Sequence, residues 1–168
     1  MRISKPMKVH KLFSDTTGMP IYDKMAKDPE YFKEAYGMTF MIVDLKPQEY
    51  LDAIAIGFYN LEKDDAEERG EKFPSIGEYT DIVMGMRVQK RKLAALRRAV
   101  KTGIKFSQPY IEFRPGCFFV QEGHHRALLA KELGYTVRTM LIFAGNLEPK
   151  EALSCYPSLY KYATGGLK

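Results

Sequence analysis

The residues best equipped for chemistry in this chain stand together in one run, Glu122-Gly123-His124-His125-Arg126. Two of the chain's three histidines sit there side by side, between a carboxylate and a guanidinium. A strand that ends in a glycine turn and feeds a helix leaves backbone N–H groups at the helix's positive end, which makes a generic anion site. Gly123 lets a phosphate approach the backbone closely, and Arg126, in the first helical turn, offers a bidentate contact. Glu122 is suited to bind magnesium or to act as a general base, and His124 or His125 to stabilise transferred charge. Because the histidines are adjacent, they are expected to face different ways, one toward a ligand and the other toward the loop or a second phosphate. The alternative is a solvent-exposed connection in which Arg126 pairs with Glu122 or another carboxylate. Two adjacent histidines are too few for zinc, and Cys117 and Cys155 are not spaced as ligands.

The elements around this run can be read from pattern. Pro109 to Phe113, the turn Arg114-Pro115-Gly116 and Cys117 to Gln121 predict a β-hairpin. His125 to Leu133 then predicts a helix capped by Gly134, and Thr136 to Phe143 another strand. Upstream, Met7 to Phe13 suits a short strand, and Tyr22 to Tyr36 a helix capped by Gly37. Met38 to Leu45 reads as a buried strand, and the run from Pro47 as a helix. Phe73 to Gly77 is expected to be a loop, and Tyr79 to Thr102 the longest helix. In that helix Val88, Leu93, Leu96 and Val100 form an apolar stripe. Another helix is expected to start near Asn146 as N-cap, with Pro149 in its first turn and a loose tail beyond.

With 168 residues, 45% of them hydrophobic and 12% aromatic, the chain suits one ordered domain rather than two or a disordered segment. Its apolar runs, such as MTFMIV and TMLIFAG, fall well short of the roughly 20 residues a membrane span needs. Two cysteines and an N-terminus without an apolar core predict a reducing cytoplasm. Net charge is +5, and its distribution is uneven. Residues 82 to 111 contain no acidic side chain but eight basic ones: Arg87, Lys90, Arg91, Lys92, Arg97, Arg98, Lys101 and Lys105. The rest of the chain carries 18 of the 26 basic side chains against all 21 acidic ones, so the positive excess lies in this segment. Such a face attracts phosphates or nucleic acid, with Arg87, Lys90, Arg91, Arg97, Arg98, Lys101 and Lys105 as candidate DNA contacts. The plainer reading is a solvated helix face that satisfies the acidic stretch Glu62 to Glu71.

Gln108-Pro109-Tyr-Ile, the hairpin, Val120 through Gly134 and the following strand resemble the ParB N-terminal and sulfiredoxin superfamily. Leu45 to Leu51 resembles that superfamily's strand, proline and tyrosine opening, so the likeness spans about Met41 to Ile142 and is specific from Gln108 onward. It implies an α/β (α+β) fold, a small mixed sheet with flanking helices in a single domain whose core covers about 38 to 145. It also implies that phosphates sit on the Gly-x-x-Arg turn, with Gly123 and Arg126 holding them and Gln108 and Pro109 as further nucleotide-binding candidates. A second possibility for the basic segment is that Lys105 and Gln108 border the nucleotide pocket. Arg126 matches the arginine shared by ParB and sulfiredoxin, His125 the sulfiredoxin histidine and Gly123 the shared glycine. His124 stands where sulfiredoxin has its catalytic cysteine, so sulfinic acid reduction is not expected, and Cys117 is a poor substitute. The Gly-His-His-Arg turn is closer to branches that look like kinases of small molecules, or nuclease and ATPase proteins of plasmids and phages. ParB partitioning needs a helix-turn-helix domain, for which too few residues follow Phe143, so an isolated domain is expected.

The function expected is therefore that of a nucleotide-binding NTP hydrolase or phosphotransferase using magnesium with ATP, ADP or CTP. The alternative is a DNA-binding or regulatory module built on residues 87 to 105, with nuclease activity or nucleotide as a switch. No membrane partner is expected, and assembly as a homodimer stays open.

Overall fold

The computed structural model describes residues 12–79, 89–116 and 118–165, except for the side chains of Phe118, Val120 and Glu122. In chain order come α1 (Pro20–Lys27), α2 (Pro29–Tyr36), β1 (Thr39–Leu45) and α3 (Pro47–Glu68). They are followed by α4 (Lys90–Lys101), β2 (Tyr110–Arg114), β3 (Phe118–Glu122) and α5 (His124–Leu133). The last elements are β4 (Val137–Phe143), α6 (Pro149–Leu153) and α7 (Tyr160–Gly165). The fold class is the mixed α/β one that the sequence implies.

The four strands form one sheet in the order β1-β4-β2-β3. β2 and β3 are the antiparallel hairpin, with Tyr110 opposite Glu122 and Arg114 opposite Phe118. Pro115 and Gly116 make its turn, Gly116 taking φ +81°, a left-handed conformation that favours glycine. β4 runs parallel to β2 and antiparallel to β1, which makes the sheet mixed.

Side-chain alternation along these strands feeds two cores on opposite faces. On one face Leu45, Ile111, Phe113, Leu141 and Phe143 pack with Tyr50 and Ile54 of α3 and Leu129 of α5. On the other, Tyr110, Met140 and Ile142 pack with Tyr22, Met25 and Phe32 of α1 and α2. Gly57 of α3 lies so close to β3 that a Cβ there would fall within 2.4–2.7 Å of the Phe119 ring, so this helix can approach the hairpin only with glycine at that point.

Local chemistry explains where the pattern-based reading needs correcting. Tyr22 to Tyr36 is two helices, because Pro29 has no N–H to continue α1 and Asp28 instead caps α2 by accepting from the Tyr31 N–H. β1 is an edge strand and mostly half-exposed, with Ile42 38% accessible, so its apolar run does not mark burial. Asn146 is no N-cap: it adopts φ +58° in a turn, and α6 starts at Pro149 with Glu148 as its cap. Among the described residues the longest helix is α3, at 22 residues, whereas α4 begins only at Lys90, after an extended Gln89. The expected strand Met7 to Phe13 lies largely outside the described residues; Phe13 itself forms a parallel bridge to Phe106.

Candidate functional site

The hairpin delivers β3 to Gly123, which is the N-cap of α5 and takes φ +120°. Its α-carbon lies so close to Pro109 that an added Cβ would stand 2.8 Å from the proline Cβ and 3.2 Å from Nη2 of Arg126. The glycine is thus required both by its dihedral angle and by space, and the turn is pinned against the residue that precedes β2.

Arg126 reaches across this junction. It is 8% exposed and donates from Nη1 to the Ser107 carbonyl oxygen and to Ser107 Oγ. The segment that carries Ser107 is itself held, since the Gln108 N–H donates to the Thr16 carbonyl at 2.6 Å and the Ser14 N–H to the Phe106 carbonyl at 2.8 Å. Arg126 therefore fastens the start of α5 to a buried loop, a structural duty that its position in the motif does not disclose.

The two histidines divide their work. His125 is 9% exposed, and its Nε2 accepts the backbone N–H of Gln89 at 2.9 Å, which leaves the ring proton on Nδ1. Burial, then the neighbouring His124 and the Lys92 ammonium, push its pKa down to about 4, so the ring is neutral near pH 7. His124 is half-buried, with its ring centroid 4.1 Å from that of His125 at a 40° tilt. Both histidines line the same cavity, and His125 also holds the backbone at Gln89.

That cavity, of about 410 Å³, opens between α4 and the N-terminal end of α5. Gly123, His124, His125 and Arg126 form one wall, and Lys92, Ala95 and Leu96 of α4 form another. Gln121 of β3 contributes a buried Oε1 that has no hydrogen-bond partner among the described residues. The volume lies within the roughly 300–1,000 Å³ typical of small-molecule sites. The positive end of α5, the Lys92 ammonium and the Arg126 guanidinium all bias it toward an anion.

The other predicted site residues are placed differently. Gln108, 1% exposed, and buried Pro109 lie behind the turn, and neither they nor exposed Lys105 are among the described residues lining the cavity. The side chain of Glu122 and all of Arg87 fall outside the described residues. Of the predicted DNA contacts, Lys90, Arg91, Arg98, Lys101 and Lys105 are exposed, but Arg97 is committed to a bidentate ion pair with Glu132 of α5. Gln89, Lys92, Ser107 and Gln121 are neighbours of the turn that no local pattern selects, since they meet it only through tertiary packing. Among the described residues no cluster of three His, Cys, Asp or Glu could hold a metal ion. Cys155 is disulfide-bonded. No described helix is long and apolar enough to cross a membrane.

No family model, curated protein or solved structure matches this chain. The likeness to the ParB and sulfiredoxin superfamily therefore rests on the motif residues alone.

Proposed function

We propose that the cavity between α4 and α5 binds the phosphates of a nucleotide, in a domain of the ParB and sulfiredoxin type that acts as an NTP hydrolase or phosphotransferase. The observation that carries this reading is the cavity itself: a space of about 410 Å³ walled by Gly123, His124, His125 and Arg126 and faced by Lys92. Phosphate would lie against the N-terminal turn of α5, where the helix dipole and the two cationic side chains favour it. Gln121 Oε1, an acceptor without a described partner, suits a donor on the ligand such as a ribose hydroxyl or an exocyclic amine.

Of the two imidazoles, His124 is the one proposed to address transferred charge, because Nε2 of His125 is occupied by the Gln89 N–H. Arg126 is proposed to serve mainly as the brace that holds the turn in shape. The described lining offers no carboxylate to magnesium, so no step is derived through the metal; Mg²⁺ would arrive with ATP, ADP or CTP, with Glu122 as its proposed protein ligand.

Melting the protein with each of ATP, ADP and CTP, with and without Mg²⁺, tests this reading. A ligand at 100 times its dissociation constant adds about 2.7 kcal/mol of stability. A melting temperature that moves with none of them counts decisively against the proposal. The cytoplasmic setting belongs to the same proposal and rests on a chain with only two cysteines. The disulfide at Cys155 favours an oxidising setting instead, and alkylation of thiols in protein taken directly from its own cells decides between them.

A further inference from the structure

The cavity and the basic helix are not separate features. Lys92 belongs to α4, lines the cavity, and follows Arg91 by one residue. At about 100° per residue and measured from buried Leu93, Arg98 and Arg91 lie about 140° and about 160° round α4, on the side turned away from it. Lys90 and Lys101 lie about 60° and about 80° round, on the adjoining flank, and Lys92, about 100° round in the opposite sense, is on the cavity side. Ala95, exposed and small, leaves the path from one to the other open.

The charges on this helix are not consumed by any described residue. Lys90, Arg91, Lys92, Arg98, Lys101 and Lys105 are exposed, and none makes an ion pair or side-chain hydrogen bond with a described residue. At the acidic end of α3, Glu67 pairs with Lys63 and Glu71 with Arg69 rather than with these cations. Cations without a described partner, spread along a helix about 18 Å long, match a repeating phosphate backbone better than a single nucleotide.

We propose that the ligand is one nucleotide of a single-stranded nucleic acid, whose backbone follows the exposed face of α4 and whose terminal or extruded nucleotide enters the cavity at His124. The cavity, of about 410 Å³, is of a size to take one nucleotide unit, and a nucleotide can enter it whole only when its base is unpaired, so a single strand is the form that suits it. This inference rests on the reading of the cavity as a phosphate site and adds the class of molecule that carries the phosphate.

The test uses the full chain and a fluorescent single-stranded oligonucleotide of about 12 nucleotides, with the matching duplex and mononucleotides as comparisons. The variants are Arg91→Glu/Arg98→Glu/Lys101→Glu on the helix face and Lys92→Ala at the cavity. The single strand should bind more tightly than the duplex and be displaced by mononucleotide. The triple variant should lose about 100-fold or more of strand affinity, with a salt slope shallower by about 2, while keeping its mononucleotide melting shift. Lys92→Ala should weaken both ligands. Equal strand affinity in the triple variant and the wild type overturns the inference, as does preference for duplex or failure of mononucleotide to compete. If mononucleotides shift the melt but no strand binds, this inference alone fails. If no mononucleotide shifts the melt, the underlying reading of the cavity fails first and takes this one with it. Melting curves of the unliganded variants confirm that they fold, and Arg91→Ala/Arg98→Ala/Lys101→Ala provides a milder replacement if the charge-reversed chain does not.

Discussion

The backbone N–H of Gln89 donates to Nε2 of His125 at 2.9 Å, so the residue that caps α4 is bonded to the second residue of α5. One imidazole thereby joins the basic helix to the glycine turn and sets the two walls of the cavity at a fixed separation. It can do so only while neutral, because a protonated imidazole has no acceptor.

Stability should therefore fall as pH drops below neutral. His125 titrates near 4 in the folded chain against 6.5 as its ordinary value. Above pH 6.5 the ring is neutral in both states; between about 6.5 and 4 the unfolded chain takes up a proton that the folded one refuses, and stability is lost progressively. His125→Gln supplies an acceptor without titrating, and its loss between pH 7 and pH 5 should be clearly smaller in urea denaturation. Identical losses in the two proteins would show that another group sets the acid response.

Arg126→Ala should lower stability as well as ligand binding. Its Nη1 donates to two acceptors on half-buried Ser107, and truncation removes both charge-assisted bonds at about 1–3 kcal/mol. Arg126→Lys, with one compact ammonium in place of the fork, should recover part of that loss. Chemical denaturation of the three proteins without ligand checks this; an alanine variant as stable as wild type would show that the arginine is not a brace.

Gly123→Ala should cost about 1–3 kcal/mol from the φ +120° backbone alone, and crowding against Pro109 adds to it. Because strain here tilts α5, the variant should also lose its response to nucleotide. A melt indistinguishable from wild type would mean that the turn relaxes without penalty.

What could be read in the sequence follows from how local each cause is. The hairpin was legible because Arg114-Pro115-Gly116 specifies its own turn, and the ends of α2 and α5 because Gly37 and Gly134 supply left-handed caps. The break at Asp28-Pro29 carried an equally local signal that the helical composition around it obscured. The edge position of β1 had none, since an apolar run does not say how many neighbours a strand acquires. At the site, the glycine turn was legible as a motif. Gln89, Lys92 and Ser107 were not, because they reach it only when α4 and the loop before β2 fold onto α5 from 36, 33 and 18 residues upstream of His125.

Arg97 and Arg98 are neighbours in sequence with opposite expected behaviour, and they separate a structural charge from a binding one. Arg97 donates to both carboxylate oxygens of Glu132, and hydrogen bonding and attraction to that carboxylate hold the arginine's pKa above its ordinary value. The pair is roughly half-exposed, 49% and 43% for the two side chains, so solvent screens it, and Arg97→Ala should lower the melting temperature only slightly. Its cation is already neutralised, so nucleic-acid affinity should change little. Arg98 makes no such pair with a described residue, and Arg98→Ala should leave the melt in place while weakening binding to a nucleic-acid strand and flattening its salt dependence by less than about one unit. Measuring melting and strand affinity for both variants decides the matter: if Arg97→Ala weakens binding as much as Arg98→Ala, the ion pair opens when ligand arrives, and the basic surface extends around α4 to the flank that faces α5.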